Sequence, residues 1–385
     1  MRTVTILGAT GSVGTSTLDL VERAPDRFRV HALTANNDVA GLAAAAIRTR
    51  AERAVVADET CLDALRAALA GTGVEASAGR DAIIEVAGSG ADWTMAAIVG
   101  CAGLEPVMAA IAAGGVVVLA NKEPLVSAGE VIVAAARASG ATLLPADSEH
   151  NAIFQCFDFA RPGGVRRIIL TASGGPFRDF TTDQMRVVTR EQAVAHPNWA
   201  MGAKISIDSA TMMNKGLELI EAARLFPVPA EKIEIVLHRQ SVIHSMVDYV
   251  DGSMLAQLGP SDMRVPIAHT LAWPDRMATP MEPLDLVAIG KLEFEAPDPV
   301  RFPALRLARE ALDAGGARPA ILNAANEIAV EAFLQRRIGF LEIAAIVADT
   351  LARYDPVAPT DVAAVLAVDT EARALAIERV EDCAA

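Results

Sequence analysis

The segment PADSEHNAIFQC, residues 145–156, sets Asp147, Glu149 and His150 within four positions, behind the apolar run GATLLP. In extended backbone alternate side chains share a side, so Asp147 and Glu149 face one way and Ser148 the other. Two like charges that close call for water or a cation. An all-oxygen donor set suits Mg²⁺ or Mn²⁺ rather than zinc. Glu218 is the natural third carboxylate, although it is far away in sequence. It belongs to SATMMNKGLELIEA, where Asn214 and Glu218 are four apart and Lys215 and Glu218 three apart. That spacing puts them on one side of a helix, with Asp208 or Ser209 expected as its cap. Such a row could hold a phosphate at one end and a metal at the other. As a plain solvated helix face it would do neither.

Other segments could bind anions. LGATGSVG supplies Gly8, Gly11 and Gly14 between a strand and a helix. Glycines there let the backbone approach a pyrophosphate, which the helix N-terminus attracts. The second strand ends in Thr34-Ala35-Asn36-Asn37-Asp38. The two asparagines could donate to a ribose 2′-phosphate, and Asp38 would repel it if turned inward, so NADP is mildly favoured. In VVVLANKEPLV, Asn121, Lys122 and Glu123 follow a strand, where ligands of parallel sheets sit. Lys122 suits a phosphate or a ketose oxygen. In LTASGGPF, Ser173 and the two glycines after it could form an anion nest. HPNWAMG places His196 and Trp199 in a long connection of the kind that often serves as a lid.

These groups need a scaffold. With 385 residues, 52% of them hydrophobic, the chain can build two or three packed domains. A net charge of −14 argues against a nucleic-acid partner but leaves room for a small anionic substrate in a local cationic pocket. No apolar run is long enough to span a bilayer. The opening MRTVTILGAT runs straight into a strand and a glycine turn, so a cytoplasmic chain without a leader is expected. Four widely spaced cysteines make neither a zinc knuckle nor a disulfide framework.

Over residues 1–147 strands alternate with helices of about ten residues, the pattern of a parallel sheet covered on both faces. Over 148–272 the segments RRIILTASGGPF, IEIVLHRQSVIHSMVDYVDGSMLAQLG and MGAKISID read as strands, with MMNKGLELIEAARLF as a helix. Prolines mark 273–299 as a linker, and 300–385 reads as four amphipathic helices. The fold class is therefore α/β: an N-terminal Rossmann-type parallel sheet, a central α+β catalytic domain and a C-terminal helical bundle.

Taken together and in order, GATGSVG, ANKEPLV, PADSEHNAIFQC, TASGGPF, HPNWAMG, SATMMNKGLELIEA and NAANEIAVEAFL resemble the 1-deoxy-D-xylulose 5-phosphate reductoisomerases over the whole chain. The resemblance implies NADPH-dependent, Mg²⁺- or Mn²⁺-dependent rearrangement and reduction of that ketose phosphate, in a homodimer, as a step toward isoprenoid precursors. It carries metal ligation onto Asp147, Glu149 and Glu218. Substrate contacts fall on Lys122, Ser148, Glu149, Ser173, His196, Ser209, Asn214, Lys215 and Glu218. NADPH contacts fall on Thr10, Gly11, Ser12, Val13, Asn36, Asn37, Asn121, Glu123 and Gly202. Lys122 and Glu149 would act in catalysis, while Trp199 and Met201 match a mobile flap. One departure is Asn36, where many members carry a basic residue. Two other classes compete: a semialdehyde-type dehydrogenase, which would need a catalytic cysteine in a recognisable setting, and a non-catalytic dinucleotide sensor, which would not need three carboxylates.

Overall fold

The first 156 residues alternate strand and helix throughout. In chain order they form β1 (Arg2–Leu7), α1 (Ser12–Glu22), β2 (Phe28–Ala35), α2 (Val39–Thr49), β3 (Arg53–Val56), α3 (Leu62–Ala68), β4 (Glu75–Ala78), α4 (Arg80–Ala87), β5 (Trp93–Ala96), α5 (Leu104–Ala113), β6 (Val116–Leu119), α6 (Glu123–Ser139), β7 (Thr142–Pro145) and α7 (Ser148–Cys156). After them come β8 (Val165–Ala172), α8 (Thr182–Arg186), α9 (Arg190–Val194), α10 (Ala203–Ala210), α11 (Met213–Leu225), β9 (Ile233–Leu237), β10 (Ile243–Tyr249), β11 (Met254–Leu258), α12 (Arg264–Ala272) and α13 (Leu286–Ile289). The chain closes with α14 (Pro303–Ala314), α15 (Arg318–Leu334), α16 (Phe340–Arg353) and α17 (Val362–Ala384). The computed structural model describes residues 1–197, 199 and 201–384.

The chain forms two compact units. Unit 1 comprises Met1–Pro124, Glu130–Asn151 and Met263–Met281. Unit 2 comprises Leu125–Gly129, Ala152–Asp262 and Glu282–Ala385.

Unit 1 is built on a seven-stranded sheet in the order β4-β3-β2-β1-β5-β6-β7, with all pairings parallel. The order reverses between β1 and β5, and open α/β sheets bind ligands at that crevice. Strands buried on both faces read as continuous apolar runs, as in Val116–Leu119. Trp93, Met95, Val4, Ile6 and Leu33 are among its fully buried side chains. The late helix α12 belongs to this unit: Arg2 donates to Leu271 O (2.7 Å) and Trp93 Nε1 to Thr270 O (3.1 Å).

Unit 2 holds a mixed four-stranded sheet, β11-β10-β8-β9. β10 runs antiparallel to β11 and β8, and β9 runs parallel to β8. A single core joins Ile168 and Leu170 of β8, Leu217 and Ile220 of α11, and apolar faces of α14 to α17. α14 shows why these segments are helical: Ala304, Leu305, Ala308, Ala311 and Leu312 recur at helical spacing and are all buried.

Three expectations change. MGAKISID is not a strand; Ala203–Ala210 is the helix α10. Its alternating isoleucines suggested a strand, but Ile207 and Ala210 enter the core at a helical interval, and Lys204 and Asp208 pair at i,i+4. Neither Asp208 nor Ser209 caps α11, which starts after Met212 in a left-handed conformation (φ 64°) without a side-chain cap. The long connection that carries HPNWAMG is not bare either: before that segment, Thr181 and Thr189 each close a capping box on the one-turn helices α8 and α9. Among the described residues, no helix is long and apolar enough to cross a membrane.

Gly216 offers a test of the packing in unit 2. A Cβ there would lie 2.7 Å from the Ala308 Cβ of α14 and 3.3 Å from Ala304 O. Helix propensity alone would make Gly216→Ala stabilising by roughly 0.5–1 kcal/mol. Overpacking a tight contact costs about 1–3 kcal/mol and should win. Thermal unfolding should show a lower midpoint for the variant, and a raised midpoint would refute the close approach of the two helices.

Candidate active site

The glycine loop sits at the sheet's switch point. Gly8 adopts φ +86°, and a Cβ there would lie 2.5 Å from Ala97 O, just past β5. At Gly14 a Cβ would meet Gly8 O at 2.2 Å. Only glycine lets the turn close and α1 begin where they do. Thr34 pins the turn to β2: its Oγ1 accepts from Gly8 N (3.0 Å), and its carbonyl accepts from Ala9 N (2.7 Å). Gly11 is the N-cap of α1 and supplies no side-chain cap, so the first-turn N–H groups face outward beside Thr10, Ser12 and Val13. This is a cradle for an anionic pyrophosphate.

Asn36 and Asn37 are exposed just past β2. The acids nearby are otherwise engaged. Asp38 caps α2 by accepting from Gly41 N (2.9 Å). Asp58, whose backbone N–H donates to Asn36 O, accepts from the Thr60 hydroxyl and N–H. Those Thr60 bonds hold the Asp58 carboxyl below its ordinary range. Each carboxylate is turned onto backbone donors of its own turn.

At the same edge of the sheet, β6 ends before Asn121, Lys122 and Glu123. Asn121 Nδ2 donates to Ile98 O, past β5, and Glu123 opens α6 and is buried. Lys122 is buried too, and its Nζ contacts the Oδ2 of Asp147, past β7. The opening PADSEH segment is not extended beyond Asp147, because α7 starts at Ser148. The alternation argument therefore fails for Glu149, which lies in the first turn of that helix. Asp147 Oδ1 accepts from Glu149 N (3.1 Å) and His150 N (3.4 Å) instead, as an N-cap does. Ser148 donates to Glu149 Oε2 at 2.5 Å. One turn further on, Asn151 Nδ2 bonds Pro145 O (2.9 Å) and faces His269 Nδ1 (3.1 Å). Burial, aided by the charge of Arg276, pushes His269 down to about 4, so its neutral ring can accept that bond.

Unit 2 gathers a second group of the expected residues. After β8, Gly174 and Gly175 both take left-handed φ, +81° and +67°. A Cβ on Gly175 would lie 2.5 Å from Ser209 O, so the glycine turn rests on the end of α10. Ser173 Oγ accepts from Gly175 N (3.2 Å) and lies 3.0 Å from His196 Nε2. His196 Nδ1 accepts from Trp199 N, so Nε2 carries the proton and donates to Ser173. Within HPNWAMG, Asn198 and Ala200 lie outside the described residues, and Gly202 is the exposed N-cap of α10. On α11, Asn214 Nδ2 donates to Glu218 Oε1 (2.6 Å), and Lys215 Nζ contacts Glu218 Oε2. Glu218 is fully buried and Lys215 nearly so. The i,i+3 and i,i+4 expectation holds, but not on a solvated face.

Sequence reasoning missed Thr34 and Asp208. Thr34 could have been suspected from a polar side chain at the end of a buried strand. Asp208 reads as a cap, and its spacing of four from Lys204 is the signal that puts it inside a helix instead.

Three matches cover most of the chain. Residues 4–129 match the family described as 1-deoxy-D-xylulose 5-phosphate reductoisomerase, and residues 143–226 and 258–375 match its two C-terminal domain families. A protein of that name from Zymomonas mobilis subsp. mobilis is 63% identical over 372 residues, 97% of this chain and 96% of its own length. One from Rhodospirillum centenum is 59% identical over 99% of this chain and 94% of its own. Among solved structures, the Zymomonas mobilis reductoisomerase in complex with NADPH superposes with a TM-score of 0.95 at 61% identity, covering 99% of both chains. A DOX-P reductoisomerase in complex with NADPH, fosmidomycin and magnesium superposes with a TM-score of 0.94 at 43% identity, over 99% of this chain and 98% of its own. The dehydrogenase and sensor alternatives are not favoured by these matches. The chain belongs to the 1-deoxy-D-xylulose 5-phosphate reductoisomerase family and is an enzyme that rearranges and reduces that ketose phosphate to 2-C-methyl-D-erythritol 4-phosphate.

Proposed function

We propose that Asp147, Glu149 and Glu218 hold the divalent cation of this reaction, Mg²⁺ or Mn²⁺. In this reading Ser173, His196, Ser209, Asn214 and Lys215 grip the substrate phosphate, and Ser148 and Lys122 address the ketose. Thr10, Gly11, Ser12, Val13, Asn36, Asn37, Asn121, Glu123 and Gly202 take NADPH. Residues 1–147 then serve as the cofactor domain, 148–272 as the catalytic domain, 273–299 as the linker and 300–385 as the helical domain. The observation that supports the metal assignment is the chemistry of the donors: three carboxylates, of which Asp147 and Glu218 are buried, beside lysines that could release them to a cation. Their donor set, oxygen only, fits a hard cation. The cofactor assignment rests on the tight turn before α1, where a Cβ at Gly8 or Gly14 would collide with backbone at 2.5 and 2.2 Å.

When bound, the cation polarises the ketone as a Lewis acid, and NADPH supplies the hydride. The chain's own side chains do the rest. Lys122 brings a buried positive charge to the carboxyl edge of the sheet, where it offsets negative charge that develops on the ketose oxygens. The Ser148 hydroxyl donates a hydrogen bond to the Oε2 of Glu149 and so helps to fix that carboxylate's rotamer. His196 and Gly175 N both donate to the Ser173 oxygen, which leaves the hydroxyl proton of Ser173 to point at an anion beside the glycine turn.

The chain is also proposed to work as a homodimer in the cytoplasm. β11 is an edge strand with Met254 and Leu255 about half exposed on its two sides, and its open edge suits pairing with a second copy. Light scattering at working concentration should give twice the chain mass.

Two further outcomes are expected. NADPH should be preferred over NADH, because Asp38 and Asp58 are engaged by their own turns and Asn36 and Asn37 are exposed beside them. Asn36→Arg should widen that preference in kcat/KM, and equal efficiency with NADH in the unaltered chain would defeat the claim. For the metal set, losing a ligand removes several kcal/mol of transition-state stabilisation. Since each 1.36 kcal/mol is about tenfold, Asp147→Asn, Glu149→Gln and Glu218→Gln should each lose roughly a hundredfold or more in turnover. Direct Mg²⁺ titration should show weaker binding, while NADPH affinity stays put. A variant with near-normal turnover at low metal would remove its residue from the ligand set.

A further inference from the structure

Helix α10 carries Ser209 into the phosphate region, and the residue before it points elsewhere. Asp208 is 1% exposed. Its Oδ2 pairs with Lys204 Nζ at 2.8 Å, and its Oδ1 accepts from Asn326 Nδ2 of α15 at 2.8 Å. Asn326 has no exposed surface, and its Oδ1 has no hydrogen-bond partner among the described residues. A side chain needed only for packing at such a position would be apolar, since an amide with an unmet acceptor is a poor choice for a core. The bond to Asp208 is what the amide provides. α15 is a long helix whose neighbours Ile321, Leu322, Ala325 and Ala329 are fixed in the core, so it is a rigid anchor.

The corner that follows Asp208 is held locally by Thr211, whose hydroxyl lies 3.1 Å from Ile207 O and 3.2 Å from Asp208 O and accepts from Met213 N at 3.3 Å. Helix α10 ends at Ala210, Met212 turns the chain in a left-handed conformation, and α11 has no side-chain cap from its N-cap residue. The bonds of Thr211 stay within the corner, whereas the Asp208–Asn326 bond ties it to a distant helix. The backbone of Ser209 and Ala210 also bears the Gly175 turn, with Ser209 O 2.5 Å from where a Cβ would stand. A small rotation of α10 would therefore move Ser209 and its seat on the Ser173 turn together.

We infer that Asn326, acting through Asp208, is a positioning residue for the substrate phosphate, fixing the corner between α10 and α11 from the helical bundle. The inference rests on the assignment of Ser209 to the phosphate. A device that sets the phosphate grip acts on binding of that group more than on the chemical step.

The test measures steady-state kinetics and competition by inorganic phosphate on Asn326→Ala, Asn326→Leu and the exchanged pair Asp208→Asn with Asn326→Asp. Either single variant should raise KM for the ketose phosphate and Ki for inorganic phosphate by about tenfold, the effect of one displaced hydrogen bond, with kcat within about twofold. The exchanged pair, which restores an amide-to-carboxylate bond with roles reversed but leaves Lys204 facing an amide, should recover part of both. Unchanged KM and Ki overturn the inference. So does a matched collapse of kcat and kcat/KM, or failure of both single variants to fold, because the residue then serves the fold alone. Ser209→Ala separates the two levels. If it leaves KM and Ki unchanged, the phosphate assignment itself is wrong; if it raises them while the Asn326 variants do not, only the positioning role falls.

Discussion

A carboxylate taken out of water must find positive charge, and one segment in each unit is organised by that demand. The idealised cost of burying one such ion is of order 20 kcal/mol, and several kcal/mol persist after relaxation. Asp147 meets it with Lys122, and Glu218 with Lys215 and the amide of Asn214. Each solution imposes local geometry. Lys122 must leave β6 as α6 begins while Asp147 leaves β7, so two neighbouring strands have to end in register. Lys215 and Glu218 must share a turn of α11, which requires that helix to be buried along the side that would ordinarily be wet. The lysines that stabilise the empty fold are the same residues expected to meet the substrate, so structure and reactivity draw on one set of charges.

Close backbone approach is the second organising constraint. At Gly8 the first loop comes against Ala97, and at Gly175 a different loop comes against Ser209. Both turns follow strands, and both close only where a side chain is absent. The chain thus uses one device twice, once in each unit.

The regular parts of the fold could be read directly from residues. Runs such as Val116–Leu119 alternating with amphipathic helices determine a parallel sheet, because burial on both faces leaves a continuous apolar signature. The four closing helices were legible for the same reason, as α14 shows. Short segments were not. Glu75–Ala78 forms a strand with a weak pattern, held by its backbone pairing to β3. Ala203–Ala210 looks like a strand by alternation and is a helix by packing. At the site, residue types were legible but not directions. Asp147 and Glu149 were grouped by a strand's geometry and are in fact set by a helix start. Spacing along a helix was a safe guide for Asn214, Lys215 and Glu218. Bonds such as Asp208 to Asn326, 118 positions apart, leave no mark that periodicity can detect.

The return of α12 to the first unit bears on how the chain matures as it is made. β1 to β7 are finished by residue 145, yet Arg2 and Trp93 wait for partners at Leu271 and Thr270. The Trp93 bond spans 177 positions, which at ~5–20 residues per second is a delay of ~10–35 s on the ribosome. Until then the Trp93 indole N–H and the Arg2 guanidinium lack these acceptors. The nascent sheet is therefore complete in strands before two of its side chains can take their final bonds, and they stay unmet while the whole intervening stretch emerges.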